Sequence, residues 1–136
     1  WLSLAANYTY LNVGKDTGPL VNRPRHRGAF FATAARDDLF AGGDRGSATL
    51  QVYAVGQRLS PDPFSRPVPF QPEPLSGYCR VDLALSYQLG GAWAPLTVTA
   101  AVRNLFNADY QESIGFPAPP AWFVIGLRYA LPLTDA

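Results

Sequence analysis

The sequence has no methionine, one cysteine (Cys79) and one histidine (His26). A single cysteine excludes a disulfide framework and a cysteine metal cluster. Cys79 reads as a small packed or lipid-facing residue rather than a reactive thiol. One histidine, with no carboxylate cluster beside it, makes no transition-metal site, and no other cofactor motif is present. Charge of one sign is missing too: 11 Lys+Arg stand against 10 Asp+Glu, with no basic stretch to neutralise phosphates. That excludes nucleic acid as the main partner. Hydrophobic residues make up 48% of the chain, yet no apolar run approaches the roughly 20 residues that a membrane helix needs. Neither a nucleophile–base pair nor a paired-carboxylate motif is present, so an enzyme is not expected. No signal peptide opens the chain. Without a methionine Trp1 is no initiator, and the sequence is expected to be cut from a longer one, starting inside a structured segment.

Helical periodicity is nearly absent as well, and alternation with period two takes its place. In residues 1–13, Leu2, Leu4, Ala6, Tyr8 and Tyr10 alternate with Ser3, Ala5, Asn7 and Thr9. In residues 81–89 the apolar row Val81, Leu83, Leu85, Tyr87 and Leu89 opposes Arg80, Asp82, Ala84, Ser86 and Gln88. Over 96–104, Leu96, Val98, Ala100 and Val102 alternate with Thr97, Thr99, Ala101 and Arg103. Over 122–131, Phe123, Ile125, Leu127, Tyr129 and Leu131 oppose Val124, Gly126, Arg128 and Ala130. A weaker pattern sets Ala48, Leu50, Val52 and Ala54 against Thr49, Gln51 and Tyr53. Residues 28–35 are nearly all small or apolar, and their faces stay unassigned.

These segments predict about six strands, each near the roughly 9–11 residues that cross a bilayer at a tilt. The connections alternate in length: 14–24 long and polar, 37–45 shorter, 59–77 long and Pro-rich, 90–95 tight, 107–121 long. Tight turns on one side and long loops on the other are the habit of a membrane barrel, and less so of a soluble sandwich. Setting Leu89 opposite Leu96 keeps both faces of the 78–106 hairpin chemically uniform, as a specified register requires. The same count brings Asp82 opposite Arg103 as an expected cross-strand ion pair. Trp1, Tyr87, Trp93 and Tyr129 then gather at the tight-turn end, and Tyr8, Tyr10, Phe106 and Phe123 at the other, as two aromatic girdles. Six strands do not close around a lumen, so further strands are expected to complete the barrel.

The stretch Val81-Asp82-Leu83 to Ser86-Tyr87, the strand 96–102 and Arg103-Asn104-Leu105-Phe106-Asn107-Ala108-Asp109-Tyr110 resemble the C-terminal end of TonB-dependent outer-membrane receptors. Similar family features are Ile114-Gly115-Phe116-Pro117, the strand 123–129, Asn22-Arg23-Pro24-Arg25-His26 and Val55-Gly56-Gln57-Arg58. The likeness covers nearly the whole chain in order and spacing. Two departures stand out. Pro119-Pro120-Ala121-Trp122 replaces the family's Pro-Gly-Arg, and residues 132–136 follow Leu131 where family chains end on an aromatic residue.

The resemblance implies an all-β fold, an antiparallel transmembrane β-barrel, with residues 1–136 as its C-terminal part. In such receptors about 22 strands surround an N-terminal plug. They import scarce nutrients across the bacterial outer membrane (iron-siderophores, haem, cobalamin) with energy from TonB. The expected partners are therefore outer-membrane lipid and lipopolysaccharide, the protein's own plug, TonB, and a small-molecule metal chelate or cobalamin. Arg80, Asp82, Arg103, Arg128, Gln51 and Tyr53 are the lumen-facing candidates, either contacting an anionic ligand or, more simply, hydrogen-bonding the plug. Tyr110, Phe116 and Trp122 are candidates for the extracellular mouth, with rim packing as the plainer role. Leu83, Leu85, Val98, Val102, Ile125 and Leu127 are expected to face lipid. Asn104 and Asn107 are expected to end a strand and shape its loop. Arg23, Arg25, His26 and Arg27 are either a solvated basic loop or an attraction for lipopolysaccharide phosphates. The Pro-rich residues 60–74 read as a stiffened external loop rather than a recognition peptide. A secreted or periplasmic β-sandwich binding module stays the alternative. It would need a second sheet over Leu83, Leu85, Val98 and Val102.

Overall fold

The structure, a computed structural model, describes residues 1–12, 20–62 and 72–131. The last predicted residue of the first strand, parts of the 14–24 and 59–77 connections and the 132–136 tail lie outside the described residues. In chain order the strands are β1 (Leu2–Tyr10), β2 (His26–Asp37), β3 (Arg45–Val55), β4 (Arg58–Pro61) and β5 (Pro72–Leu75). There follow β6 (Tyr78–Gln88), β7 (Leu96–Arg103), β8 (Gln111–Ser113), β9 (Phe116–Pro117) and β10 (Trp122–Tyr129). A 3-10 turn at Gly91–Trp93 joins β6 to β7.

Six strands form one open antiparallel sheet in the order β1-β2-β3-β6-β7-β10. Each neighbour is the next long strand along the chain, so the sheet is a meander. Along most of its strands apolar residues alternate with polar or small ones, which suits a pleated surface whose two sides meet different surroundings. The expected register between β6 and β7 is present: Leu83 pairs with Val102, Leu85 with Ala100 and Tyr87 with Val98. Beyond them the Leu89 amide donates to the Leu96 carbonyl at 3.0 Å.

Uninterrupted pairing fixes the face of every strand residue, including those in β2 that alternation leaves open. Gly28, Phe30, Ala32 and Ala34 pair with Ala54, Val52, Leu50 and Ala48, and so join the apolar side. Ala29, Phe31, Thr33 and Ala35 pair with Tyr53, Gln51, Thr49 and Ser47 on the polar side. There the Thr33 and Thr49 hydroxyls meet at 3.0 Å, and the rings of Phe31 and Tyr53 pack edge to face. The two aromatic groups also separate as expected: Tyr87 and Tyr129 pair near the short turns, Tyr8 and Phe123 toward the long loops.

The short connections are tightly built. Asp38 takes a positive φ of 51°, and its carboxylate accepts the Gly43 amide at 2.6 Å. Asp44 lies 2% exposed. Its carboxylate accepts the amides of Leu39, Phe40 and Ala41 and the hydroxyl of Tyr87. These bonds hold the carboxyl below its ordinary value, the Tyr87 hydroxyl contributing most. Gly90 is required by close approach, since a Cβ there would sit 2.6 Å from the Gly42 carbonyl oxygen. The 38–44 and 89–95 turns therefore touch.

The long connections depart from simple loops. They carry two small sheets, β4 with β5 and β8 with β9. Alternation over two to four residues is too short to be read from sequence, and prolines in β4, β5 and β9 argue against strands. These are edge pairs outside the main sheet, where a missing amide costs no ladder bond.

Burial is inverted relative to a water-soluble domain. Among the described residues the buried set is Gly46 and Tyr110 together with polar Asp44, Arg58, Ser60, Asp82 and Asn104. Leu85, Ile125 and Leu127 are 46%, 69% and 73% exposed. Leu83, Val98 and Val102 are intermediate, and no second sheet among the described residues covers this row.

Candidate functional site

The polar face gathers its charge at the long-loop end of β3, β6 and β7. Pairing sets Gln51 opposite Asp82 and Tyr53 opposite Arg80. The Tyr53 hydroxyl donates to Gln51 Oε1 at 3.0 Å, and the Arg80 guanidinium lies 4.8 Å from the Tyr53 ring centre. Arg80 reaches along its own strand to Asp82 at 3.0 Å and donates to the Tyr110 hydroxyl at 3.3 Å. Its Nε is buried without a hydrogen-bond partner. The second Asp82 oxygen accepts the amide of Asn104 at 2.9 Å.

This corrects the expected Asp82–Arg103 ion pair. The register is the one anticipated, but residues i and i+2 on one strand share a face, and Arg80 takes the carboxylate from there. The Arg103 guanidinium instead lies over the Trp122 ring, 5.5 Å from its centre, where β10 sets Trp122 opposite Arg103. A cation over an indole face keeps its outer N–H groups available.

Asn104 ends β7 with φ 53° and is 2% exposed. Its side chain donates to the carbonyls of Ala108 and Pro119 and accepts the Ala108 amide. Asn107 (φ 52°) accepts the Ala121 amide. Both asparagines thus shape the loop, as anticipated.

That loop folds back over the polar face. Tyr110 stacks on Tyr78 with ring centres 4.0 Å apart and is buried. Arg58, 7% exposed, clamps the hairpin by donating to the carbonyls of Gln111 and Glu112 at 2.6 and 2.9 Å. The Ser60 hydroxyl, fully buried, meets that of Ser113 and accepts the Ile114 amide. The Asn22 amide donates to the Leu59 carbonyl, which ties in the first long connection. Arg58 and Ser60 are absent from the sequence-based candidates. A motif marks Arg58, but its partners sit some fifty residues downstream, and no local pattern signals them.

Between this cap and the sheet lies a cavity of about 330 Å³, lined by Arg80, Arg103, Tyr110, Glu112, Phe116 and Trp122 among others. Phe116 is 62% exposed at its edge. Arg128 is exposed on the same face, beside Thr97 and away from the cavity. In the basic cluster, the His26 ring holds the Tyr8 hydroxyl at 2.6 Å, and the Arg25 backbone accepts the Leu11 amide. The described residues hold no group of three or more metal-ligating side chains.

No curated protein matches the chain. Residues 1–105 match the family model described as TonB dependent receptor-like, beta-barrel. The match covers β1 to β7, the strands whose meander pairing, apolar row and polar row are set out above. The chain belongs to the TonB-dependent receptor family of outer-membrane transport barrels.

Proposed function

We propose that residues 1–136 form the C-terminal part of the barrel wall of an active importer in the bacterial outer membrane. Earlier strands and the plug would come from the rest of a longer receptor. The observation that carries this reading is the segregation of the sheet into one apolar and one polar side. Leu83, Leu85, Val98, Val102, Ile125 and Leu127 share the apolar side and face lipid in this reading. Arg80, Asp82, Arg103, Arg128, Gln51 and Tyr53 share the polar side and line the lumen. A solvated lumen tolerates charge, whereas lipid rejects it.

The cargo is a scarce nutrient of the iron-siderophore, haem or cobalamin class, bound without any bond-making step. Its negative groups meet Arg103, whose guanidinium carries no carboxylate among the described residues. Phe116 and Trp122 supply flat apolar contact at the mouth, and buried Tyr110 supports them from behind. TonB acts through parts outside this chain. Arg23, Arg25, His26 and Arg27 lie toward the outer leaflet, within reach of lipopolysaccharide phosphates.

The test places nitroxide labels at Leu85 and at Thr99 of the receptor in outer-membrane lipid. Dissolved oxygen should relax the label at 85 and a water-soluble nickel chelate the label at 99. Equal access of the nickel chelate to both positions overturns the membrane reading. For transport, a strain relying on this receptor should lose growth on one of the three cargo types when TonB is removed, and Arg103→Ala should raise the half-saturating cargo concentration about 10-fold.

A further inference from the structure

At the tight-turn end the apolar face is hollow. Ala34, Gly46, Ala48 and Ala100 form the floor of an open depression of about 1030 Å³, with Leu85 and Val98 along its side. Leu39 folds down over Gly46, close enough that a Cβ there would lie 2.5 Å from its methyl carbon. Phe40, 80% exposed, packs against the Tyr87 ring at 5.7 Å and stands at the rim with Trp1.

Arg36 also borders this hollow. It pairs with Gly46 and so lies in the apolar row, where it is the one Lys or Arg on the six strands. Its guanidinium has no ion pair or hydrogen bond among the described residues. The nearby carboxylates are already engaged: Asp37 by Arg45 at 3.5 Å, Asp38 by the Gly43 amide, Asp44 by its turn and Tyr87. On the β3 side Arg36 pairs with Gly46, and on the β1 side the ladder ends with Leu2 opposite Ala34, two residues short of it.

We propose that this hollow and Arg36 form a site for one phospholipid of the leaflet at the tight-turn end, resting on the membrane reading above. An acyl chain fills the depression, and the phosphodiester meets the Arg36 guanidinium. Charge complementarity selects the occupant. A cation at the end of an apolar face needs an anion at headgroup depth, and a guanidinium takes two phosphate oxygens in a planar fork. The small floor residues leave a space that a flat barrel wall would not, and apolar atoms gain contact by filling it. Aromatic side chains at the rim suit the same depth.

Native mass spectrometry of the whole receptor in detergent, titrated with phosphatidylglycerol, tests the site. The wild type should retain one lipid at a concentration about 10-fold or more below that needed by Arg36→Gln. Ala48→Trp, which fills the floor, should lose the lipid to a similar extent while keeping the heat-resistant folded band on gels. Inorganic phosphate at the same concentration should displace nothing. Retention equal to wild type in both variants, displacement by phosphate alone, or a second receptor copy seated on this face each overturns the site. A receptor that fails to enter lipid at all overturns the membrane reading as well; one that inserts and shows no lipid preference overturns only this inference.

Discussion

Single residues carry this structure chiefly where the strands end. Asn104 is the sharpest case, since its conformation and its side chain are both used. Asn104→Ala leaves the Ala108 amide and the Pro119 carbonyl without their partner, which costs about 1–3 kcal/mol, and places a Cβ-bearing residue without side-chain compensation at positive φ. Asn104→Gly should recover roughly 1 kcal/mol, the backbone part alone. Urea unfolding of the barrel in detergent, with the folded fraction followed by gel mobility, measures both. Asp44 gives a pH dependence. Its carboxyl is held below the ordinary 3.8 by the Tyr87 hydroxyl and three turn amides, opposed by burial. A depressed folded value means that the carboxylate stabilises the turn at and above the unfolded value, and that the contribution is lost as pH falls through the folded one. Wild type should therefore unfold later than Asp44→Asn at pH 7, with the gap closing as acid is added below 3.8. A gap that widened in acid would contradict the turn as drawn.

Strands are the scale at which the sequence is most legible. Period two marks five of the six long strands and, with the tight 90–95 turn, the register of β6 with β7, because each residue's face follows from its parity once a turn is fixed. Residues 28–35 are ambiguous in sequence, since alanine and phenylalanine suit either side, and pairing with β1 and β3 assigns them. The Asp82 partner is not legible for a different reason: counting across strands ignores the competitor two residues away on the same strand. The Arg58 and Ser60 clamps were not legible at all, being contacts between distant loops. Face assignment itself is open to test. Ile125→Arg should cost about 2–4 kcal/mol in lipid near mid-depth, whereas Thr99→Arg, on the polar side, should stay within about 0.5 kcal/mol. Unfolding midpoints in vesicles compare the two. Equal penalties would mean that the sides are not chemically distinct.

At the scale of the whole molecule, the distribution of apolar surface decides how the chain behaves. A soluble domain of this length removes its apolar rows from water, and that removal is what drives folding. Here the row from Leu2 and Leu4 across Ala32, Leu50, Leu83 and Val102 to Phe123 runs unbroken over six strands, and no described element covers it. A contiguous apolar surface of this kind is what soluble monomers rarely leave open. The sheet also ends in β1 and β10, each paired on one side only within the described chain. Both ends offer free amides and carbonyls to any other strand. Water therefore provides neither a partner for the apolar side nor one for the edges. Detergent covers the first but not the second. Residues 1–136 alone should consequently aggregate in buffer, and in micelles should give a β-type circular dichroism spectrum with persistent self-association through the edges. Supplying the remaining strands of the receptor should remove that association while leaving the need for detergent. The two requirements separate by analytical ultracentrifugation, run with and without detergent and with and without the rest of the barrel. A sharply melting monomer of residues 1–136 in plain buffer would mean that some element covers the apolar row after all, and the wall reading would not stand.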